Sequence, residues 1–509
     1  MDGQVLLTID QSTSGTKALV IDRDGRVLAS SSTEHRQYYP RPGWVEHDPE
    51  EIYENAKAAI REAMRLAGVT PDRLAALTVT NQRETAVLWD ASTGKAVCRA
   101  VVWQCQRTAD MCEKLKKDGH EPFVRAKTGL MLDPYFSATK WKWMLDHVPE
   151  AQAAMAKGTL RAGTVDSWLV WNLTGGKVHA TDYTNASRTS LFNIFSGAWD
   201  ESLCELFGVP MELLPGVKPS DAIFGHTEDR DLFDVRVPVT GVIGDSQAAL
   251  LGQLCLEPGM AKATYGTGTS VLLNVGAKPV PAGDGLAVTI AWGLGGAITY
   301  ALEAIIRTTG DTIKWVRDNL GLFSTFEEMD RLVAQVPDNE GVYLVPAFVG
   351  LGAPYWDPHA RAAITGLSRA SGRAHIVRAA LESIAYQVCD AVAFMQRETG
   401  VAIRELRADG GASRNETLMQ LQADLLDKPV IASQVAELSA MGSAYAGGLG
   451  VGFWPSVEAL PGLSGGRRYE PRMDAAERRR LTEGWKNAVL SVLGRRQTAK
   501  RTESGQTRL

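Results

Sequence analysis

The sequence lacks several features that would place it in common classes of protein. Its net charge is only −5, with 54 basic and 59 acidic residues, so no strong charge of one sign is present. A basic surface for nucleic acid or for anionic membranes is therefore not expected. The chain also lacks an apolar run of the roughly 20 residues that cross a bilayer. We expect no nucleic-acid partner and no membrane insertion.

Disulfide and export signals are also missing. The first residues, MDGQVLLTID, have neither the basic start nor the long apolar stretch of a signal peptide. The six cysteines contain no CxxC pair and are expected to be reduced, buried thiols; they are Cys98, Cys105, Cys112, Cys204, Cys255 and Cys389. Both observations predict a cytoplasmic protein.

Three well-known catalytic motifs are absent. There is no GxxxxGK[ST] phosphate loop and no HRD and DFG pair of a protein kinase. The stretch GDSQA (244–248) carries a serine after a strand-like run, but it lacks the closing glycine of GxSxG. No partner histidine stands out among the eight in the chain, so Ser246 is disfavoured as a nucleophile.

The chain of 509 residues is long enough for two domains. A strand–bend–strand pattern opens it at 5–22, and a similar pattern returns at 261–275 after an interruption near 252–260. This repetition is faint in sequence, but it indicates an internal duplication. We predict domains at 1–252 and 253–493, followed by a polar, basic tail at 494–509 that is expected to be disordered.

Local signals place several elements. Asp48 followed by Pro49 is typical of a helix start, and this helix should run to about Leu66. An apolar stripe that repeats every four residues predicts a long helix over 374–398. The run SRNE at 413–416 resembles a capping box that starts the next helix.

Three glycine-containing turns are candidates for phosphate binding. DQSTSGTK (10–17) and YGTGTS (265–270) are bends between strands, where small residues let backbone N–H groups approach an anion. DGGASRN (409–415) joins a strand to a helix, whose N-terminus favours negative charge. Each alone is as consistent with an ordinary polar turn. Two similar bends in matching places strengthen the functional interpretation.

A candidate polyol site is formed by residues that follow strands. Asp245 lies between a strand and a helix, where it would be either a catalytic base or a helix cap. Arg83 and Glu84 could donate to and accept from vicinal hydroxyls, while Trp103 and Tyr135 cover the carbon face. Taken singly, each would be better explained as part of a surface ion pair or as a core aromatic residue. Together with the two bends they indicate phosphoryl transfer.

Long segments resemble the FGGY carbohydrate kinase family, and within it the kinases that act on glycerol. These segments are PRPGWVEHDPEEI (40–52), TNQRET (80–85), VVWQCQRTA (101–109), DPYFSATKWKWMLDH (133–147), TDYTNASRT (181–189), EGVYLVPAFVGLGAPYWDP (340–358) and AAITGLSRASGRAHIVRAALE (362–382). The resemblance extends over roughly residues 4–460. It implies an α/β, two-domain, actin-like (RNase H-like) ATPase fold with the active site in the cleft between the domains.

The resemblance also implies a reaction and its residues. The expected reaction is ATP-dependent phosphorylation of a terminal hydroxyl of glycerol to sn-glycerol 3-phosphate, with ATP and Mg²⁺ as cofactors and a homodimer or homotetramer as the assembly. The implied catalytic base is Asp245. The implied polyol contacts are Arg83, Glu84, Trp103, Tyr135, Asp245 and Ser246. The implied nucleotide contacts are Thr13, Ser14, Gly15, Lys17, Thr267, Gly310, Lys314, Gly411 and Asn415, and the residues near the metal are Asp10 and Asp245.

Five positions depart from the family pattern, namely Ser12, Ser246, Ser270, Arg307 and Lys314. Ser246 and Ser270 replace larger side chains near the substrate. They lead to the hypothesis of a larger or more polar pocket, which Arg307 would fill or which would take a longer polyol. A kinase for an erythritol- or xylulose-like substrate is therefore an alternative. An actin-like ATPase without a small substrate is a third, which the Arg83–Glu84 pair argues against.

One regulatory loop of the family has no counterpart. Glycerol-specific members that are controlled by fructose 1,6-bisphosphate carry a glycine-rich basic loop. The matching stretch here is HTEDRDLFDVRVP (226–238), which is acidic. We predict that the chain is not controlled by this sugar bisphosphate.

Overall fold

The computed structural model describes residues 3–280, 285–357, 359–462 and 465–493. The predicted disordered tail at 494–509 lies outside the described residues. Up to residue 252 the strands are β1 (Val5–Gln11), β2 (Gly15–Ile21), β3 (Val27–Glu34), β4 (Glu46–His47), β5 (Leu74–Asn81), β6 (Val87–Asp90), β7 (Lys95–Ala96), β8 (Ala100–Val101), β9 (Leu160–Gly163), β10 (Ala180–Asp182), β11 (Phe192–Asn193), β12 (Ala198–Trp199), β13 (Gly216–Lys218), β14 (Gly225–His226) and β15 (Pro238–Gly244).

Helices surround these strands. In the same part of the chain they are α1 (Pro49–Ala67), α2 (Ala109–Lys117), α3 (Glu121–Thr128), α4 (Ser137–His147), α5 (Pro149–Ala156), α6 (Val165–Leu173), α7 (Tyr183–Ala186), α8 (Glu201–Phe207) and α9 (Asp245–Gly252).

The remainder of the chain contains a second set. Its strands are β16 (Met260–Tyr265), β17 (Thr269–Gly276), β18 (Ala287–Leu294), β19 (Ala297–Ile306), β20 (Tyr343–Val345), β21 (Ala363–Thr365), β22 (Glu405–Gly410), β23 (Val430–Ala432) and β24 (Arg467–Tyr469). Its helices are α10 (Gly310–Asp318), α11 (Phe326–Ala334), α12 (Arg373–Thr399), α13 (Glu416–Leu426), α14 (Leu438–Gly450) and α15 (Ala475–Leu493).

The two halves each build one large sheet, and the two sheets share six strands with the same order and directions. The first sheet has the order β14-β15-β5-β1-β2-β3, and the second has the order β18-β19-β17-β16-β22-β23-β24, in which β18 is additional. In each, a third antiparallel strand (β3 or β19) pairs with the hairpin, and two parallel strands lie on the other side of its first strand. The duplication that was faint in the sequence is therefore clear in the fold.

Local chemistry explains the main elements. The side chain of Asp48 caps α1 by accepting from the backbone N–H groups of Glu50 and Glu51, as predicted. The long helix α12 also matches its prediction. The capping box at 413–416 was wrong in detail: Asn415 is the N-cap of α13, whereas the Ser413 hydroxyl donates to the Gly410 carbonyl.

Close packing of small residues joins the two halves. Helix α14 lies in the second half of the chain but packs against α9 and the first sheet. A Cβ atom at Gly442 would collide with the carbonyl oxygen of Ala248, and one at Gly252 would collide with that of Leu438. Glycine at these positions allows the backbones to approach this closely. The Ser439 hydroxyl near the start of α14 also donates to the Asp245 carbonyl (3.0 Å). Among the helices of the described residues, none is both long and apolar enough to cross a membrane.

Candidate active site in the cleft between the sheets

A cleft with a volume of about 1050 Å³ lies between the two halves. Both halves contribute its walls. The predicted residues that line it are Thr13, Arg83, Glu84, Trp103, Tyr135, Asp245, Ser246 and Thr267. The structure therefore brings together the candidate base, the candidate polyol contacts and one residue from each of the two hairpin tips.

Asp245 stands at the C-terminal end of a buried parallel strand. The N-cap of α9 is Gly244, so Asp245 is the first helical residue rather than the cap. The backbone N–H of Gly244 donates to the Thr184 hydroxyl (2.8 Å), and the Asp245 carboxylate accepts from the Ser246 N–H (2.6 Å). The carboxylate remains 36% exposed in the cleft. A carboxylate at a helix N-terminus is electrostatically favoured there, and this one is accessible to a ligand.

A chain of alternating charges runs from Asp245 into the floor of the cleft. Arg83 Nε lies 3.0 Å from Asp245 Oδ1, and Arg83 Nη1 lies 3.1 Å from Glu303 Oε1. Arg188 Nη2 lies 2.6 Å from Glu303 Oε2, and Arg188 Nε donates to Glu84 Oε1 at 2.6 Å. All except Asp245 are buried. Two guanidinium groups therefore hold three carboxylates in fixed positions.

Glu84 has a strained backbone. Its φ is 61°, a left-handed conformation that a residue with a long side chain seldom adopts. Its carbonyl oxygen accepts from the Ser137 hydroxyl (3.0 Å), which supports the turn. Such strain persists only where the surroundings impose it, and it is common at ligand sites. Here it places the carboxylate beside Arg83 at the wall of the cleft.

Two aromatic rings form another wall. Trp103 and Tyr135 are in edge-to-face contact, with ring centroids 5.4 Å apart. Trp103 Nε1 donates to the Thr13 hydroxyl (2.9 Å), so the ring is tied to the first hairpin. The loop that carries Tyr135 is held by the buried ammonium of Lys140, which donates to three successive carbonyls, including those of Pro134 and Tyr135. The wall is rigid and apolar on its face.

The first hairpin forms a tight bend near Asp245. The Ser12 N–H donates to the Gly15 carbonyl (2.9 Å), and Gly15 itself allows close approach to the Thr33 carbonyl. Ser14 lies on the same exposed tip, and its carbonyl accepts from the N–H of His35 (3.2 Å), which directly follows β3. Lys17, predicted to face phosphates, instead forms an ion pair with Glu437 at 2.7 Å. Its charge is thus shared with the opposite half of the molecule.

Asp10 lies at the base of this hairpin. Burial, together with the negative charges of Asp245 and Glu437, raises its pKa to about 7. A divalent cation beside Asp10 would offset the negative charge that disfavours the ionisation of this carboxyl, and carboxylate oxygens are suitable ligands for it. No cluster of three or more metal-binding side chains occurs within the described ranges.

The second half supplies the opposite wall. Thr267 lies at the exposed tip between β16 and β17, and the N–H of Gly310 donates to the Gly266 carbonyl (3.1 Å), which packs the start of α10 against this tip. Lys314 is exposed on α10, and Gly411 is exposed just after β22. Asn415 caps α13 and donates to Asp330 (2.7 Å), so its side chain is already engaged.

Two of the residues that depart from the family pattern, Ser270 and Arg307, contact different parts of the cleft. The Ser270 hydroxyl donates to Glu303 Oε1 at 3.3 Å, so this serine touches the charge network directly. Arg307 lines the cleft but is exposed; it donates to the Val349 carbonyl (3.2 Å) and lies 5.6 Å from the Trp356 ring. Its guanidinium therefore lies beside Val349 and Trp356.

Sequence reasoning gave no role to five charged residues that line the cleft, namely Asp133, Arg188, Lys262, Glu303 and Asp409. Lys262 is buried on β16 and donates to the Thr264 hydroxyl (2.8 Å). A signal for Glu303 and Lys262 was available, because each is a single charge within an otherwise apolar strand, and buried charges are costly unless they are paired. Arg188 lay within the motif TDYTNASRT but had no assigned role.

Two sheets with a matching strand order, a hairpin tip on each and a cleft with charged residues between them match the architecture of a two-domain phosphotransferase of the actin-like ATPase fold. The N-terminal domain of the FGGY family of carbohydrate kinases matches residues 5–252, and the C-terminal domain of that family matches residues 261–451. The chain belongs to this family, whose members transfer a phosphoryl group to an alcohol. The resemblance drawn from its motifs and the predicted fold class are confirmed.

Within the family, the chain is similar to glycerol kinases over nearly its whole length. The chain is 50% identical over 490 residues to glycerol kinase 2 of Thermotoga maritima, covering 96% of this chain and 99% of the relative. It is 51% identical over 490 residues to the glycerol kinase of Shewanella amazonensis, with the same two coverages. The crystal structure of Plasmodium falciparum glycerol kinase with ADP superposes with a TM-score of 0.91 at 35% identity, covering 96% of this chain and 98% of that one.

A xylulose kinase from Rhodospirillum rubrum has the same fold. Its crystal structure gives a TM-score of 0.85 at 24% identity and covers 96% of this chain and 99% of that one. At this identity the likeness concerns the fold alone. The residues that line the cleft must therefore decide which alcohol is phosphorylated.

Proposed function

We propose that the chain is an ATP-dependent kinase that phosphorylates a terminal hydroxyl of glycerol and yields sn-glycerol 3-phosphate and ADP. The observation that carries this proposal is the exposed Asp245 carboxylate, 3.0 Å from Arg83 and between two hairpin tips. Names of relatives at about half identity support the same substrate.

The polyol would lie between the charge network and the aromatic wall. Arg83 can donate to a hydroxyl oxygen, and Glu84 can accept from a neighbouring hydroxyl, because their side chains line the same part of the cleft. The rings of Trp103 and Tyr135 would cover the carbon face. Glycerol presents one apolar face and a row of hydroxyls, so this combination suits it.

Asp245 would act as the general base. As the terminal hydroxyl oxygen forms its bond to the γ-phosphorus, the bond from that phosphorus to the β,γ-bridging oxygen breaks, ADP leaves, and the hydroxyl proton passes to the Asp245 carboxylate. Arg83, paired with Asp245, keeps that carboxylate oriented toward the cleft. Positioning and charge neutralisation account for most of the catalysis in such reactions.

The hairpin tips would hold the nucleotide. Backbone N–H groups and hydroxyls near Thr13 and Thr267 face the cleft. On the second half, Gly310 would contact the nucleotide where it packs against the Gly266 carbonyl, and Gly411 would do so where it has open space around it. Ser14, Gly15, Lys17, Lys314 and Asn415 remain proposed nucleotide contacts. Asp10 and Asp245 would hold Mg²⁺, which supplies neutralisation of phosphate charge when bound. A site with one or two carboxylates fits, because phosphate oxygens and water complete the coordination of Mg²⁺.

The test is a coupled assay of ADP release with a panel of polyols and ketoses, run with the unaltered chain and with Asp245→Asn. The proposal expects glycerol to have the highest kcat/KM and the variant to be nearly inactive toward every substrate. ATP hydrolysis that does not depend on any added alcohol would refute it and favour an actin-like ATPase.

A longer polyol or a ketose is the second candidate. Ser270 and Ser246 are small residues at the cleft, and the Arg307 guanidinium donates to the Val349 carbonyl. Erythritol and xylulose therefore belong in the panel. If one of them exceeds glycerol by tenfold or more in kcat/KM, about 1.4 kcal/mol of transition-state preference, the substrate assignment changes while the reaction type stands.

The proposal also includes the cellular location and the oligomeric state of the enzyme. A cytoplasmic location suits an enzyme that uses ATP, and its six free cysteines suit a reducing compartment. The resemblance implies a homodimer or homotetramer, and light scattering on the eluted protein would distinguish either from a monomer.

A further inference from the structure

Glu303 belongs to the second half of the molecule but contacts the polyol site of the first. It lies on β19, near the edge of the second sheet, where it pairs in register with Leu272 of β17. Glu303 Oε1 lies 3.1 Å from Arg83, which follows β5, and Glu303 Oε2 lies 2.6 Å from Arg188, which follows α7. Both arginines belong to the first half. Glu303 is therefore an ionic bridge between the halves at the floor of the cleft.

Glu303, Arg83 and Arg188 are buried together and form one ionic unit. The side chains of Glu303, Arg83 and Arg188 are 1%, 6% and 0% exposed. Burial alone would raise the pKa of Glu303, but the charges of Arg188 and Arg83 outweigh it and lower the pKa to about 2. Removing one member of such a buried group leaves an uncompensated charge, so the others must move or recruit water.

The orientation of both proposed polyol contacts depends on this unit. Arg83 is held by Glu303 on one side and by Asp245 on the other, and Gln247 accepts from the same Nη1 at 3.2 Å. Glu84 is held by Arg188, whose other end is held by Glu303. A shift of Glu303 would thus displace the donor and the acceptor together.

We infer that Glu303 is a positioning residue of the polyol site: it orients Arg83 directly and Glu84 through Arg188, so that the site is assembled only when both halves are in place. This inference rests on the proposed function, because it assigns Arg83 and Glu84 to the polyol. Ser270 adds to it, since its hydroxyl donates to the oxygen of Glu303 that also faces Arg83. The identity of residue 270 therefore affects the polyol site through Glu303.

The test compares Glu303→Gln with Glu382→Gln. Glu382 is a matched control, because it is also a buried carboxylate of the second half, paired with an arginine (Arg378, 2.7 Å), but it lies outside the cleft. We expect both variants to lower the melting temperature. Only Glu303→Gln should raise KM for the polyol, by about tenfold or more, while KM for ATP changes less than about twofold.

Glu303→Asp provides a second variant if Glu303→Gln fails to fold. It keeps the charge but withdraws it by one methylene, and it should also raise KM for the polyol selectively, by a smaller factor. Equal KM values for the polyol in the unaltered chain and in the folded Glu303 variants would overturn the inference. So would an equal rise of both KM values, which would indicate general damage.

The same measurements separate this inference from the proposed function. If the unaltered chain phosphorylates no polyol, the proposed function fails and this inference falls with it. If the unaltered chain is active and Glu303→Gln behaves like Glu382→Gln, the function stands and only the role of Glu303 is refuted.

Discussion

His47 should make the fold sensitive to acid by an amount that the structure allows us to calculate. Its Nε2–H donates to Gln37 Oε1 (2.7 Å), and its Nδ1 accepts from the amide of Gln82 (3.3 Å). A proton on Nδ1 would face that amide donor. Burial, with a smaller effect from neighbouring His35, lowers the pKa of His47 from 6.5 to about 3.

The sign and size of the effect follow from this difference. Below pH 6.5 the unfolded chain binds a proton at His47 that the folded chain does not bind until about pH 3. The stability contributed by neutral His47 is therefore complete above pH 6.5 and is lost as the pH falls. Between pH 7 and pH 5 the loss is about 2 kcal/mol, from linkage. That is a large fraction of the roughly 5–15 kcal/mol that stabilises a typical domain.

The measurement is urea unfolding at pH 7 and pH 5, followed by tryptophan fluorescence, for the unaltered chain and for His47→Gln. Glutamine keeps a donor for Gln37 but does not titrate, so the variant should lose about 2 kcal/mol less between the two pH values. His359→Gln, at an exposed histidine, is the control and should behave like the unaltered chain. If His47→Gln and the unaltered chain lose equal stability, the reasoning is refuted.

Four further outcomes are expected. Asp245→Asn should lower kcat by about 10²–10⁴ in steady-state kinetics, because the proposed proton acceptor is lost; an active variant would show that another group is the base. Trp103→Phe keeps the ring but removes the bond to Thr13, so KM for the polyol should rise by up to about tenfold, which corresponds to a hydrogen bond of about 0.5–1.5 kcal/mol; steady-state kinetics would check this. Gly410→Ala should lower the melting temperature in calorimetry, since φ is 89° and a Cβ there collides with the backbone of Tyr265, and the strain costs about 1–3 kcal/mol. Fructose 1,6-bisphosphate should leave the rate unchanged, because the segment 226–238 is acidic; cooperative inhibition in a titration would contradict this.

Elements with strong local signals were predictable from the sequence. The hairpins at the start of each half follow from apolar runs that flank small, hydroxylated residues, and α1 follows from Asp48 and Pro49. The start of α13 was not predictable, because several residues that can cap a helix follow one another at 413–416. The choice between them depends on where β22 ends: the Ser413 hydroxyl is used by the Gly410 carbonyl, which leaves Asn415 as the cap.

The candidate site also contains residues that the local sequence predicts and contacts that it does not predict. Asp245 was predictable, because a carboxylate between a buried strand and a helix is a local pattern. The partner of Lys17 was not, since Glu437 is 420 residues away in the sequence and approaches only because α14 packs on the first sheet. Local reasoning therefore assigned Lys17 to phosphate without knowing that a carboxylate competes for its charge.

The charges of the network that begins at Asp245 show why sequence motifs alone do not define a site of this kind. Asp245, Glu84 and Glu303 carry three negative charges, whereas Arg83 and Arg188 carry two positive ones. One negative charge of this network remains, and Asp245 is its only member that is exposed in the cleft. Since the Glu84 and Glu303 carboxylates are buried against guanidinium groups, Asp245 is the carboxylate of the network that a ligand in the cleft can reach. The local sequence pattern places the proposed base, but Glu303 and Arg188, which are distant from it in the sequence, leave it as the accessible carboxylate of the network.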